Sequence, residues 1–193
     1  MYLQYETKAS EFMKLLIASD IHGDLTSAEH IIEVMDREGC DKLVLLGDIL
    51  YHGPRNDLPA GYNPKGVIEL LNSRSSSILA VRGNCDTEVD QMVLTFPILA
   101  DYAYICVDGL NIFATHGHKF NIENPPSLSA ADILLHGHTH ILTCESFGKS
   151  NTYINPGSVS IPKGGNPKTY IIYEDRCFKT YDLTGNIVSE LRF

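Results

Sequence analysis

Five short, mostly apolar runs in this chain each lead into side chains able to ligate a metal, and that repetition constrains the fold more than any other feature. Leu15–Ala18 runs into Ser19-Asp20-Ile21-His22, Leu43–Leu46 into Gly47-Asp48, and Ile78–Val81 into Gly83-Asn84-Cys85-Asp86. Further on, Leu110–Thr115 ends at His116, and Ile133–Leu135 leads into His136-Gly137-His138-Thr139-His140. Short apolar runs bounded by glycine and polar residues read as strands buried on both faces. In open α/β sheets the carboxyl ends of such strands are where ligands bind. These strands are therefore expected to gather their polar ends at one place. The pairs Asp20/His22 and His138/His140 are two residues apart, which in extended backbone puts both side chains on one face. Neighbouring glycines leave room for sharp turns and for a ligand to approach.

Helical signals separate the first strands. Thr26-Ser27-Ala28-Glu29 fits a capping box, Ala28, Ile31, Ile32 and Met35 recur at helical spacing, and Gly39 sits where a C-cap glycine belongs. A Gly- and Pro-rich loop over Tyr51–Tyr62 precedes Asn63-Pro64, an N-cap with proline at the first helical position, followed by Val67, Ile68 and Leu71. The second half reads as strands. Tyr102–Val107 and Leu110–Thr115 flank an Asp108-Gly109 turn, and Ile141–Phe147, Thr152–Asn155, Tyr170–Tyr173, Phe178–Leu183 and Ile187–Phe193 follow. A βαβαβ half followed by a meander predicts two packed sheets with helices outside. No repeat or linker interrupts 13–193, so a single domain is expected there. Residues 1–12, MYLQYETKASEF, have no basic flank before an apolar stretch and so are no signal peptide. Met13 opens the first strand like a natural start, and 1–12 are expected to be a non-native leader.

Composition excludes several classes. The 193 residues suit one domain, and 44% hydrophobic with 20% charged residues argues for a packed core over disorder. No apolar run approaches the roughly 18 residues of a membrane helix. Fifteen Lys and Arg against 24 Asp and Glu give a net charge of −9, the wrong sign for gripping long nucleic acid. Cys40, Cys85, Cys106, Cys144 and Cys177 are odd in number with no CxxC, which reads as a reduced, cytoplasmic chain.

Asp20, His22, Asp48, Asn84, His116, His138 and His140 form a mixed oxygen and nitrogen donor set suited to Mn, Fe, Co, Ni or Zn. Seven side chains are too many for one ion but serve two if a carboxylate bridges. Two divalent ions roughly 3.5–4 Å apart lower the pKa of a bridging water and clamp phosphoryl oxygens for in-line displacement. Asn84 adds an oxygen without a charge. The carboxylates of Asp20 and Asp48 and one hydroxide then leave the cluster singly positive, an anion site within an acidic chain.

The ordered set DxH, GD, GNxD, H and GHxH, with GDILYHGPRNDLPAGYNP, RGNCDTEVDQM and NPGSVSIPKGGNP, resembles the calcineurin-like metallophosphoesterase superfamily, and within it small bacterial phosphodiesterases. The resemblance spans Met13 to the C-terminus. It implies an α/β fold, a four-layer αββα sandwich with a binuclear metal site at the strand C-terminal ends. By the resemblance, Asp20, His22 and His140 hold one divalent ion, Asn84, His116 and His138 the other, and Asp48 bridges them; Mn is the foremost metal, with Fe, Ni, Co or Zn as alternatives. It implies hydrolysis of a small phosphodiester by a metal-bridging hydroxide, with Asp48, Asn84 and His116 positioning hydroxide and phosphate. The alternatives are a phosphomonoesterase or nucleotidase on the same site, or a catalytically weak metal-binding scaffold. A homo-oligomer is also implied; neither a membrane nor long nucleic acid is expected as partner.

One position departs from the pattern. Many members of the superfamily carry His after the motif's Asn, credited with protonating the leaving group; here Cys85 stands there, a weaker donor with an unperturbed pKa near ~8.5. His52 or His118 is the expected substitute, although His118 fits a surface position equally. Arg55 and Arg82 are fork donors for a substrate phosphate or else members of structural ion pairs. His136 is expected to be buried and hydrogen-bonded, His30 solvent-facing, and Tyr102 and Tyr104 core or subunit contacts. Asn155 and Gly157 are expected to shape a turn beside the metals.

Overall fold

The computed structural model describes residues 13–193; the expected leader lies outside the described residues. Strands β1 (Leu15–Ala18), β2 (Lys42–Leu45) and β3 (Ile78–Ala80) run parallel, joined through helices α1 (Leu25–Glu38) and α2 (Pro64–Asn72). After the short α3 (Glu88–Val93) come β4 (Tyr102–Val107), β5 (Leu110–Thr115), β6 (Ile133–Leu135), β7 (Leu142–Phe147) and β8 (Asn151–Pro156), a second sheet in the order β4-β5-β6-β8-β7. Then β9 (Thr169–Glu174), β10 (Cys177–Asp182) and β11 (Ile187–Arg192) return to the first sheet, giving β11-β10-β9-β1-β2-β3.

Alternation along each strand builds the layers. Leu16, Ala18, Leu43 and Leu45 face α1 and α2, where they meet Ile31, Met35, Val67 and Leu71. Leu15, Ile17, Val44 and Leu46 face the second sheet and pack on Ile112, Ala114, Ile133 and Leu135. All of β1 is buried because it is covered on both sides, as its unbroken apolar run requires. The outer face of the second sheet carries Phe113, Leu134 and Tyr153, and is covered by Phe120 and Leu128 from the long β5–β6 connection. That connection lets β6 run parallel to β5, and β8 runs parallel to β6. The second half is therefore not the simple meander expected.

Two local readings are corrected. The N-cap of α1 is Asp24, not Thr26. The Asp24 carboxylate accepts the Ser27 N–H at 3.4 Å and the Ser27 hydroxyl at 2.9 Å, and pairs with Lys168 at 3.1 Å. A buried carboxylate placed at the helix start outcompetes an exposed threonine two residues further in. His30 is half-buried rather than solvent-facing: its ring lies 6.0 Å from Tyr170 of β9, its Nε2 is buried without a partner, and burial pushes its pKa down. Tyr102 and Tyr104, on the edge strand β4, are 48% and 51% exposed, so neither belongs to the core. At the carboxyl ends of the parallel strands the loops interlock. Asp20 N–H donates to the Gly47 carbonyl at 3.2 Å, His22 N–H to Asp48 at 2.9 Å and Gly23 N–H to Ile49 at 2.8 Å.

Candidate metal centre

All seven expected ligands lie in the loops that follow β1, β2, β3, β5 and β6, at one end of the sandwich. They do not meet through extended backbone. Asp20, His22, Asp48, His138 and His140 have φ between 50° and 66°, and they are five of the nine non-glycine residues in the left-handed region among the described residues. Each left-handed residue costs on the order of 1–3 kcal/mol, and such residues gather where function holds the backbone. The two-residue spacing of each pair converges through this tight coiling, which replaces the expected shared strand face. Packing of the loops adds its own restriction. A Cβ on Gly83 would overlap the Asp48 backbone nitrogen, and one on Gly137 would overlap the Ser19 hydroxyl.

The side chains form two adjoining groups. In the first, His22 Nε2 and His140 Nε2 are 3.2 Å apart, and Asp20 Oδ1 is 3.3 Å from His140 Nε2 and 3.6 Å from His22 Nε2. In the second, His116 Nε2 lies 3.0 Å from Asn84 Oδ1, 3.2 Å from His138 Nδ1 and 3.4 Å from Asp48 Oδ2. Asp48 Oδ2 is also 3.7 Å from His22 Nε2, so this one carboxylate faces both groups.

The remote ring atoms fix what faces inward. Nδ1–H of His22 donates to the Tyr51 carbonyl at 2.7 Å, that of His116 to Leu46 at 2.6 Å and that of His140 to Ile161 at 2.8 Å. Each Nε2 of a neutral ring is then a lone pair, oriented as backbone carbonyls orient metal-ligating imidazoles. Asp20 Oδ2 is held by the Ser19 hydroxyl at 2.6 Å and the His138 N–H at 3.1 Å, while the Asp20 carbonyl accepts from Ser158 at 2.9 Å and Ser160 at 2.7 Å. Among the described residues its Oδ1 is buried with no hydrogen-bond partner. Imidazole nitrogens thus converge on a carboxylate oxygen that has no hydrogen-bond partner among the described residues. Divalent cations fit this set.

Protonation in the metal-free centre follows from the same crowding. Burial opposes charge on Asp20, yet the imidazoles of His140 and His22 hold its carboxyl well below the usual range. Burial likewise lowers His116, but the hydrogen bond to Asp48 and the charges of Asp20 and Asp48 prevail and raise it to about 9.

The remaining expected residues divide. Cys85 is buried beside the centre, and its N–H donates to Asp48 Oδ1 at 2.8 Å. In the metal-free centre burial and the Asp48 charge push its thiol strongly upward, away from a thiolate nucleophile. His118 lies half-buried with its ring 5.4 Å from that of His116; in the metal-free centre burial and the neighbouring His116 and His138 lower it to about 4. His52 sits between Tyr51 and Tyr62, at ring distances of 4.8 and 5.5 Å, and does not line the cleft. Arg55 lines the cleft, whereas Arg82 bonds the Asp86 carbonyl at 3.2 Å and pairs with Glu88 at 3.3 Å. His136 is buried, stacked on Tyr153 at 4.3 Å, with burial lowering it to about 4. Asn155 donates to the Gly137 carbonyl at 2.9 Å and accepts the Gly157 N–H at 2.9 Å, shaping the turn as expected.

Two contributors escaped sequence reasoning. Lys163 lines the cleft together with Arg55, and like Arg55 it forms no ion pair among the described residues. Its signal was only its place in the PKGG turn. Asp86 is buried, and its carboxylate accepts N–H groups of Gly83 at 2.7 Å, Asp48 at 2.8 Å and Ile49 at 2.9 Å. It ties the loop after β2 to the loop after β3, and its signal was the GNxD spacing.

A two-sheet sandwich with an Asp, Asn and His cluster at its strand ends defines a metal-dependent phosphoesterase class, and the match to known families agrees. The chain belongs to the calcineurin-like phosphoesterase superfamily, whose domain model matches residues 13–176. It is 52% identical over 158 residues to the phosphodiesterase YfcE of Escherichia coli strain K12, spanning 82% of this chain and 85% of that protein. The solved structure of YfcE, described as a phosphoesterase from E. coli, superposes with a TM-score of 0.90 at 47% identity, covering 93% of this chain and 98% of the other. The phosphodiesterase MJ0936 of Methanocaldococcus jannaschii is 26% identical over 152 residues, or 75% of this chain and 83% of that protein.

Proposed function

We propose that this chain is a cytoplasmic phosphodiesterase that hydrolyses a small phosphodiester with two divalent ions, Mn foremost. Asp20, His22 and His140 hold one ion, Asn84, His116 and His138 the other, and Asp48 lies between them. The observation that carries this reading is the set of inward lone pairs around the orphaned Asp20 oxygen, with Asp48 facing both groups. The relatives named phosphodiesterases support the diester as substrate. When bound, the ions supply a low-pKa water and charge stabilisation for in-line displacement. Arg55 and Lys163 draw and orient the phosphate anion from the open side of the cleft. Five unpaired cysteines, two of them exposed, support a reducing compartment. The half-exposed tyrosines of β4 support self-association through that edge.

The test uses protein stripped of metal, with Mn, Fe, Co, Ni and Zn added back separately and matched aryl mono- and diesters as substrates. Diester turnover is expected to return with Mn, at close to two ions per chain by elemental analysis. Preference for the monoester would favour a phosphomonoesterase. No turnover with both ions bound would favour a scaffold, and saturation at one ion would remove Asp48 as a bridge.

A second prediction rests on Cys85. Cys85 takes the place of the histidine that many members of the superfamily carry there, and a thiol is a weaker proton donor to the leaving group than an imidazolium. A plot of log kcat/KM against leaving-group pKa is therefore expected to fall steeply. Cys85→His should flatten it, with gains of up to ~10²-fold on alkyl esters and little change on nitrophenyl esters, since general acid catalysis matters most for poor leaving groups. A shallow slope in the unmodified protein would show that another residue already donates the proton.

A further inference from the structure

The cleft over the metal-ligating residues, bounded by Asn84, Cys85, His138, Arg55 and Lys163, encloses about 40 Å³. That is too little for the organic groups of a diester, which must lie outside it. Directly beyond Cys85 a second hollow of about 360 Å³ opens, and Cys85 is a wall of both spaces. Because Cys85 N–H lies 2.8 Å from Asp48 Oδ1, the hollow begins one side chain away from the centre. Its volume falls at the lower end of the roughly 300–1,000 Å³ typical of small-ligand sites.

The lining is mainly apolar and aromatic, with Leu50, Tyr51, Tyr62, Ile68, Val89 and Val93 beside the polar Lys65, Thr87 and Asp90. Val89 is 68% exposed and Val93 43% exposed, one turn apart on α3, and Tyr51 across from them is 43% exposed. Apolar side chains turned to solvent around a concavity are a recurrent mark of a ligand groove. Asp90, one of two charged residues there, is already engaged by the Thr87 N–H at 2.7 Å in the cap of α3. A hollow of about 390 Å³ beyond His138 is lined by Ile122, Ile141 and Tyr153 but also by Asn121 and two carboxylates, Glu123 and Glu145, which repel a phosphodiester anion.

We propose that the hollow beyond Cys85 is a subsite for a flat aromatic substituent of the phosphodiester substrate; this rests on the phosphodiesterase reading above. A ring seated against Tyr51, Tyr62 and Ile68 lies within reach of a phosphoryl group at the cleft, with Cys85 the residue the two spaces share.

The experiment measures Kd by calorimetry for phenylphosphonate and methylphosphonate, neither of which is hydrolysed, on metal-loaded protein. Phenylphosphonate is expected to bind about tenfold more tightly, the gain from burying one ring face. The double variant Val89→Asn/Val93→Asn makes the rim polar, and Val93→Trp fills the space; both change exposed positions on α3. Each is expected to cut the preference to within about threefold while leaving the methylphosphonate Kd unchanged. The subsite is overturned if the phenyl group brings no gain, if the gain survives in both variants, or if Ile141→Asn in the other hollow abolishes it instead. Methylphosphonate binding and diester hydrolysis that persist in those cases leave the phosphodiesterase reading standing. Absence of both phosphonate binding and diester hydrolysis overturns that reading and the subsite together.

Discussion

Asp48→Asn is expected to lower kcat/KM for a phosphodiester by about 10³-fold or more, the loss typical when a group that organises transition-state charge is removed. The Asp48 carboxylate faces both groups of candidate ligands, with Oδ2 at 3.4 Å from His116 Nε2 and 3.7 Å from His22 Nε2. An amide there presents a neutral oxygen or an N–H to an ion, and neither can bridge two dications. Metal content is expected to fall from two ions per chain towards one. The fold should survive, because an Asn oxygen still accepts the Cys85 N–H that now bonds Asp48 Oδ1 at 2.8 Å. Loss of a carboxylate also relieves its repulsion with Asp20 in the metal-free protein. His136→Gln is the comparison, since His136 is equally buried but stacks on Tyr153 outside both groups. It should keep most of the activity. Matched losses in the two variants, at equal melting temperatures, would mean that Asp48 contributes no more than packing.

The gathering of the candidate ligands is legible because each follows a short apolar run that reads as a buried β-strand, and because strand ends in such sheets converge. What a sequence pattern cannot supply is which strands pair. Periodicity marks β9–β11 as strands but carries no sign that they return beside β1, and it does not separate a meander from the parallel run of β5, β6 and β8. The same limit applies at single residues. Asp24 and Thr26 both suit an N-cap; the choice falls to Asp24 because Lys168, 144 residues away in sequence, reaches its carboxylate. His30 looks solvent-facing on a helical wheel until Tyr170 is placed under it by the returning β9. Backbone conformation was also hidden. The paired ligands were attributed to an extended strand, whereas left-handed φ at Asp20, His22, His138 and His140 does the same work by coiling. Only glycine announces such a φ in a sequence; an Asp or His held there by its surroundings does not.

Asp86 shows how much of the centre depends on a residue that ligates nothing. Asp86→Ala is expected to cost about 3–5 kcal/mol of stability, because the N–H groups of Gly83, Asp48 and Ile49 lose their acceptor in a buried place and each unsatisfied donor costs about 1–3 kcal/mol before water enters. For a domain of this length that corresponds to a fall in Tm of roughly 10–15 °C. The cavity left by a small carboxylate is too confined for water to replace all three bonds at their present geometry, with Gly83 already packed against the Asp48 backbone. Asp86→Asn should recover about half of the loss, since an amide oxygen can accept from two donors while its own N–H opposes the third. The effect should extend to metal retention. Asp48 and Asn84 stand on the two loops that Asp86 joins, so loosening that joint lets the second ion's ligands drift apart while His22 and His140 stay anchored to the Tyr51 and Ile161 carbonyls. Melting curves of metal-free protein report the first effect, and elemental analysis after dialysis reports the second, as preferential loss of one ion. A variant that melts within about 3 °C of the unmodified protein, near the shift that 1 kcal/mol produces at this size, and keeps both ions would show that the three backbone donors find other acceptors and that Asp86 does not hold the two loops together.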